Sequence, residues 1–233
     1  MMRLAIVGMG RMARAIAEEA SARGHEVAVR LGRAENPGGA GILPERFERV
    51  DAALEFTRPD AAVANLERLI GIGVPVVTGT TGWFEHLPRI EALVHERDGA
   101  LLYAPNFSIG VQLFFRTARE LARRLHGRPG FDAAIVEQHH RGKLDAPSGT
   151  ALALQGLLRE RDPGRDYPIT SVRSGWVPGT HALEVDAAHE TIVLTHTARH
   201  PAVFASGAVL AAEWLVGRRG VFTFEQALFG DEP

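Results

Sequence analysis

Leu4-Ala5-Ile6-Val7-Gly8-Met9-Gly10-Arg11-Met12-Ala13 runs from strand-like through glycine-rich to helix-like sequence. A compact apolar run breaks at a glycine, as expected of a strand buried on both faces. A helical pattern follows, with Met12, Ile16 and Ala20 on one stripe and Gly24 as its stop. Gly8 permits a tight turn, and Gly10 lets backbone approach a pyrophosphate. The helix N-terminus offers N–H groups and a positive dipole end to phosphates. The string is the dinucleotide fingerprint with Ala13 in the last glycine's place. Alone it also describes an ordinary glycine-rich turn; its position after the first strand of a βαβ series favours the dinucleotide reading.

That series continues outward. Val27–Val29, Ala52–Phe56, Pro75–Thr78 and Ala100–Tyr103 read as strands, with helices at Pro59–Ile72 and Glu85–Arg97. Such alternation predicts an open parallel sheet with covering helices. After Phe107 the pattern changes. Helices are expected at Val111–His126 and Thr150–Arg161, a strand at Phe131–His140, and β-like runs from Ile169 to Ala198. An apolar helix, Phe204–Val216, follows. The fold class expected is α/β: a Rossmann-like parallel-sheet nucleotide-binding domain plus an α+β substrate-binding and oligomerisation domain.

Composition narrows the function classes. The chain has 233 residues, a formal net charge of −2 and no cysteine. The near-neutral balance offers no global field for nucleic acid or an anionic membrane. Without cysteine there is no disulfide scaffold, thiol nucleophile or thiolate metal site. The apolar start is too short for a signal-peptide core, and no stretch reaches the ~20 apolar residues of a membrane span. The expectation is a soluble, cytoplasmic protein with no nucleic-acid or membrane partner.

Cofactor choice turns on the end of the second strand. An acid there would hold a ribose 2′-OH, whereas arginine would favour a 2′-phosphate. Arg30 and Arg33 flank Leu31-Gly32, and the nearest later acid, Glu35, sits in the loop. NADPH is therefore preferred, with NADH possible. Gly79-Thr80-Thr81-Gly82 and Ala104-Pro105-Asn106-Phe107 end the fourth and fifth strands, where open α/β sheets bind ligands.

The densest chemistry lies in Glu137-Gln138-His139-His140-Arg141-Gly142-Lys143-Leu144-Asp145-Ala146-Pro147-Ser148-Gly149-Thr150. Adjacent histidines on a strand face opposite ways, so one can serve chemistry while the other positions a ligand. Ser148-Gly149-Thr150 opens a helix whose free N–H groups suit a carboxylate. The loop thus describes a pocket for a small acidic molecule, against the blander reading of a solvated basic loop. Zinc is set aside because no third ligand is near the two histidines in sequence. His181, His189, His196 and His200 are read as packing residues, and His25, His86, His95 and His126 as surface ones.

Together these segments resemble the 4-hydroxy-tetrahydrodipicolinate (dihydrodipicolinate) reductase family of lysine and diaminopimelate synthesis. The resemblance also runs through Glu55–Pro59, Arg173-Ser174-Gly175, Pro178–His181 and Phe204–Ala208. It implies a dinucleotide-binding domain of residues 1–107 and 215–233, and a substrate-binding and tetramerisation domain of residues 108–214. It further implies a homotetramer, and NAD(P)H-dependent reduction of a cyclic dicarboxylate.

By position, His139 resembles the family's acid/base histidine and Lys143 its proton donor. His140, Gly149 and Thr150 match its substrate contacts. Gly8, Met9, Gly10, Arg11, Met12, Gly79, Thr80, Thr81, Ala104, Pro105, Asn106 and Phe107 match its cofactor contacts. The chain departs from the family in a shorter glycine loop, an abbreviated stretch before Glu55, and the missing acid after the second strand. Two other readings are weighed: a different Rossmann-type reductase of the aspartate pathway, and a non-catalytic nucleotide-sensing module. The string from His139 to Thr150 argues against both.

Overall fold

The computed structural model describes residues 1–230. The last three residues of the expected 215–233 segment lie outside them. Two compact units divide the chain: Met1–Ser108 together with the chain from Pro201 on, and Ile109–His200.

The first unit is built on a six-stranded sheet in the order β10-β5-β4-β3-β1-β2, every pairing parallel. Its strands are β1 (Arg3–Val7), β2 (Glu26–Leu31), β3 (Ala52–Glu55), β4 (Val76–Thr78), β5 (Ala100–Tyr103) and β10 (Gly220–Thr223). Leu4, Ala5, Ile6 and Val7 are all inaccessible, as the apolar run predicts for a central strand. Ala5 and Val7 join the core shared with α3 (Pro59–Gly71) and α4 (Leu87–Glu96), while alternation sends Leu4 and Ile6 to the other face. That face is covered by α1 (Arg11–Ala22) and α7 (Ala202–Leu215). A short helix, α2 (Pro44–Phe47), precedes β3.

α7 corrects the expected domain boundary. Its sequence is apolar nearly all round, and such a helix is buried on most sides. It packs on β3, β4 and β5 and on α1, so it belongs to the first unit rather than to residues 108–214. Small residues permit the close approach. A Cβ on Gly207 would lie 1.8 Å from the Phe107 carbonyl oxygen. Beyond α7, β10 adds the sheet's last strand, and α8 (Phe224–Phe229) starts at a capping box of Thr223 and Gln226.

The second unit is a mixed sheet in the order β7-β6-β8-β9, from β6 (Phe131–His139), β7 (Ile169–Arg173), β8 (Gly179–Ala187) and β9 (Glu190–Ala198). The β6–β7 pairing is parallel and the other two antiparallel. α5 (Ile109–Leu125) and α6 (Gly149–Arg161) supply Phe114, Ala118, Leu125, Leu154 and Leu158 to a core with Ala133, Ile135, Leu183 and Val185. Strand alternation then puts Glu137 and His139 on the same face as Ala133 and Ile135. On β8, His181 shares the face of Leu183 and Val185, and it pairs directly with Glu137. The apolar stripe therefore turns polar at one end of this sheet.

Candidate active site

In the first unit, strand order reverses at β1, which lies between β2 and β3; ligands of open α/β sheets bind at the carboxyl ends of strands flanking such a reversal. A cavity of about 660 Å³ lies there, walled by Gly8, Met9, Gly10, Gly32, Arg33, Asn36, Thr57 and Arg58 among others. Gly8 is required twice over. Its φ of +110° suits only glycine, and a Cβ would lie 2.1 Å from the Phe56 carbonyl oxygen. Gly10, the N-cap of α1, carries no side-chain cap, and no acid occupies the helix's first turn. The first N–H groups of α1 are thus available to an anion.

Beneath the cavity, the inaccessible Glu55 accepts hydrogen bonds from Thr78 Oγ1 (2.7 Å), Asn65 Nδ2 (3.2 Å) and Thr57 Oγ1. Asn65 in turn accepts from Asn36 Nδ2 at 2.8 Å, and Asn36 accepts from the Gly41 N–H at 3.0 Å. The chain of bonds orders the loop at one side of the cavity. Thr80 Oγ1 accepts from the Thr57 N–H at 2.8 Å, and the buried Trp83 donates its indole N–H to the Thr80 carbonyl at 2.8 Å. Gly79–Thr81 is thereby tied to the end of β3.

The sequence-derived residues are distributed unevenly here. Gly8, Met9, Gly10 and Arg33 line the cavity. Arg11 and Met12 form the first turn of α1. Gly79, Thr80 and Thr81 follow β4, and Ala104, Pro105, Asn106 and Phe107 follow β5, along the same edge of the sheet but outside the cavity wall. Arg30 alternates with the buried Leu31, so it is exposed and does not line the cavity. Arg58, given no role from sequence, does line it, and its place in the turn between β3 and α3 was the available signal.

In the second unit, His139 Nδ1 bonds Glu137 Oε2, and Arg173 Nη2 bonds Glu137 Oε1 at 2.7 Å. Burial opposes ionisation of Glu137, but its bonds to Arg173 and His139 outweigh this and hold the carboxyl at about 2. Burial pushes the His139 imidazole below its ordinary value, an effect that Glu137 offsets only in part. The His181 ring meets that of His139 edge-on at 5.1 Å between centroids. Burial and the neighbouring His139 lower its pKa to about 4, so it is neutral near pH 7.

His181 Nε2 contacts Ser148 Oγ at 3.0 Å, and that oxygen caps α6 by accepting from the Ala151 N–H at 3.3 Å. Gly149 and Thr150 form the first residues of the same helix. Lys143 Nζ donates to both Asp145 carboxylate oxygens, at 2.7 and 2.9 Å. His140, just past the end of β6, is exposed.

Sequence reading missed three of these participants: Glu137, Arg173 and His181. A different triad, without His140, comes together instead: carboxylate and ring atoms of Glu137, His139 and His181 lie within 4.8 Å of one another. Both Glu137 oxygens are already engaged, one by His139 and one by Arg173, in a charge-assisted hydrogen-bond network.

Family models for dihydrodipicolinate reductase match nearly the whole chain, the N-terminal model over residues 2–107 and the C-terminal one over residues 110–228. The chain belongs to the dihydrodipicolinate reductase family. A 4-hydroxy-tetrahydrodipicolinate reductase from Christiangramia forsetii is 36% identical, covering 97% of this chain and 98% of its own length. One of that name from Methanopyrus kandleri is 37% identical, over 81% of this chain and 74% of its own. Among solved structures, a dipicolinate-bound dihydrodipicolinate reductase from a Paenisporosarcina species superposes with a TM-score of 0.82 at 22% identity, over 97% of this chain and 99% of that one. An amine dehydrogenase from Mycobacterium smegmatis shares the fold more loosely, with a TM-score of 0.66 at 12% identity over 96% and 95% of the two chains.

Proposed function

We propose that the chain catalyses NAD(P)H-dependent reduction of 4-hydroxy-tetrahydrodipicolinate to tetrahydrodipicolinate, the activity named for its relatives. The observation that carries this reading is the bond between buried Glu137 and half-buried His139, in a motif that also supplies Lys143 and the N-terminus of α6. When bound, the nicotinamide cofactor supplies the hydride. Gly8, Gly10 and the N-terminus of α1 would hold its pyrophosphate. Arg33 would meet a 2′-phosphate, which makes NADPH the preferred cofactor.

The protein's own part is proton delivery and charge. The 4-hydroxyl leaves as water with a neighbouring ring proton, which gives a conjugated C=C–C=N system; hydride arriving there leaves negative charge on carbon or nitrogen, which a nearby acid must neutralise. His139 Nε2 and Lys143 Nζ are the groups for that step. His140 and the N-terminal N–H groups at Gly149 and Thr150 would hold the ring carboxylates. The working protein is a homotetramer in this reading. The sheet face turned away from α5 and α6 carries the exposed Val172 and Val193, and a second copy would cover that face. No described helix is long and apolar enough to cross a membrane.

His139→Gln and Lys143→Ala test the assignment, each lowering kcat by about 10²–10⁴-fold because a placed proton donor is lost. Pyridine-2,6-dicarboxylate binding, measured by calorimetry, should survive in His139→Gln and weaken in His140→Ala. Full turnover in both His139→Gln and Lys143→Ala would overturn these roles.

A further inference from the structure

We infer that Glu137 is a positioning residue for His139, fixing the proton on Nδ1 so that Nε2 is the nitrogen turned to substrate, with Arg173 as its fixed counter-charge. The inference rests on the acid–base reading of His139 given above.

Glu137 is inaccessible and occupies the position that continues the Ala133–Ile135 stripe, where an apolar residue would fit the core. A carboxylate is rarely buried so completely unless paired, and burying an ion pair seldom stabilises a fold by itself. Its oxygens are divided between two partners. Oε1 accepts from Arg173 and Oε2 faces His139 Nδ1. An ionised carboxylate can only accept, so Nδ1 must carry the hydrogen. Nε2 is then the lone pair of the neutral ring and the proton donor of the charged one.

The surroundings keep that nitrogen clear. A Cβ on Gly179 would lie 2.9 Å from His139 Nε2, so the bare glycine leaves room for the ring. Arg173 also donates to the Asp145 carbonyl at 2.6 Å, which ties the network to the loop bearing Lys143. The charged and titratable groups around His139 are therefore Glu137, Arg173, Lys143 and His181, with Asp145 already engaged by Lys143.

Glu137→Gln separates charge from shape. Arg173 can only donate, so it takes the amide oxygen, and the amide NH₂ is left facing Nδ1. His139 must then accept at Nδ1 and carry its hydrogen on Nε2, the wrong tautomer for the task. The variant should keep its NADPH affinity and lose about 100-fold or more in kcat. The alkaline limb of its pH profile should move to lower pH, because the negative charge that stabilised the imidazolium is gone. Glu137→Asp, which keeps the charge, should recover part of the loss.

Nitrogen-15 NMR of labelled imidazole reads the tautomer directly in the unmodified protein and needs no variant to fold. Hydrogen on Nδ1 is the expected result; hydrogen on Nε2 overturns the inference, as does a folded Glu137→Gln with unchanged kcat and pH profile. The two hypotheses fail separately. Full activity in His139→Gln removes the acid–base role of the histidine, whereas the tautomer measurement judges Glu137 alone.

Discussion

Replacing Gly207 by alanine links a packing defect to the proposed cofactor site. In an open helix the exchange stabilises, since glycine costs about 1 kcal/mol against alanine. At Gly207 the added Cβ would lie 1.8 Å from the Phe107 carbonyl oxygen and 2.9 Å from the Phe224 ring. The first of these is backbone at the end of the β5 loop, which cannot rotate away as a side chain would. Overpacking of this kind costs about 1–3 kcal/mol, and a backbone obstacle puts this site at the upper end.

With each kcal/mol worth about 2–4 °C in a chain of this size, melting should fall by about 6–12 °C. Gly156 in α6 is the matched control, because a Cβ there meets nothing within 4 Å. Gly156→Ala should raise the melting temperature by about 2–4 °C. Phe107 belongs to the loop assigned to the cofactor, so Gly207→Ala should also raise the KM for NADPH about tenfold, the equivalent of about 1.4 kcal/mol. Scanning calorimetry and steady-state kinetics on the two variants supply the readings. If both melt within about 2 °C of the parent, the close approach of α7 to Phe107 does not constrain the fold.

Two further outcomes follow from the geometry. Arg33→Ala should raise the KM for NADPH about 10–150-fold, the value of a hydrogen bond to a charged group, and leave NADH nearly unaffected. Arg30→Ala should change neither; equal use of both cofactors by the unmodified protein would end the preference argument. The protein should also weaken on acidification from near neutrality. The unfolded chain takes up a proton at His181 near its ordinary 6.5 while the folded ring refuses it to about 4, so stability is lost as pH falls through that window. His139 and His196, both lowered by burial, act in the same sense. Glu137, held at about 2 against an ordinary 4.5, extends the loss to lower pH. Urea midpoints across this range should fall steadily and more gently in His181→Gln; a flat midpoint from pH 7 to 4 would contradict the burial argument.

How far the sequence carried the reading depended on whether a feature was local. The turn at Gly8 was legible because a buried strand, a positive φ and an open helix start all leave their mark within ten residues. The motif from His139 to Thr150 was legible as chemistry for the same reason. The rest is long-range. The apolar character of α7 says that it is buried but not against which sheet, and β10 is too short to show a period. Arg30 falls outside the cavity wall because its phase relative to Leu31 decides its direction, and a strand end leaves that phase open. Glu137 and His181 meet through the antiparallel register of β6 and β8, which no spacing along the chain encodes. His181 therefore looked like a packing histidine until the register was known.

Substrate-dependent oxidation of the nicotinamide cofactor measures the proposed reaction itself. The labile substrate is generated in the cuvette by a dihydrodipicolinate synthase shown to be active, and reduced cofactor is followed by its absorbance. Loss of NADPH should be rapid, begin only when the synthase product is supplied, and slow about 10²–10⁴-fold in His139→Gln. NADPH that binds tightly yet persists in the presence of fresh substrate would contradict the proposed reaction.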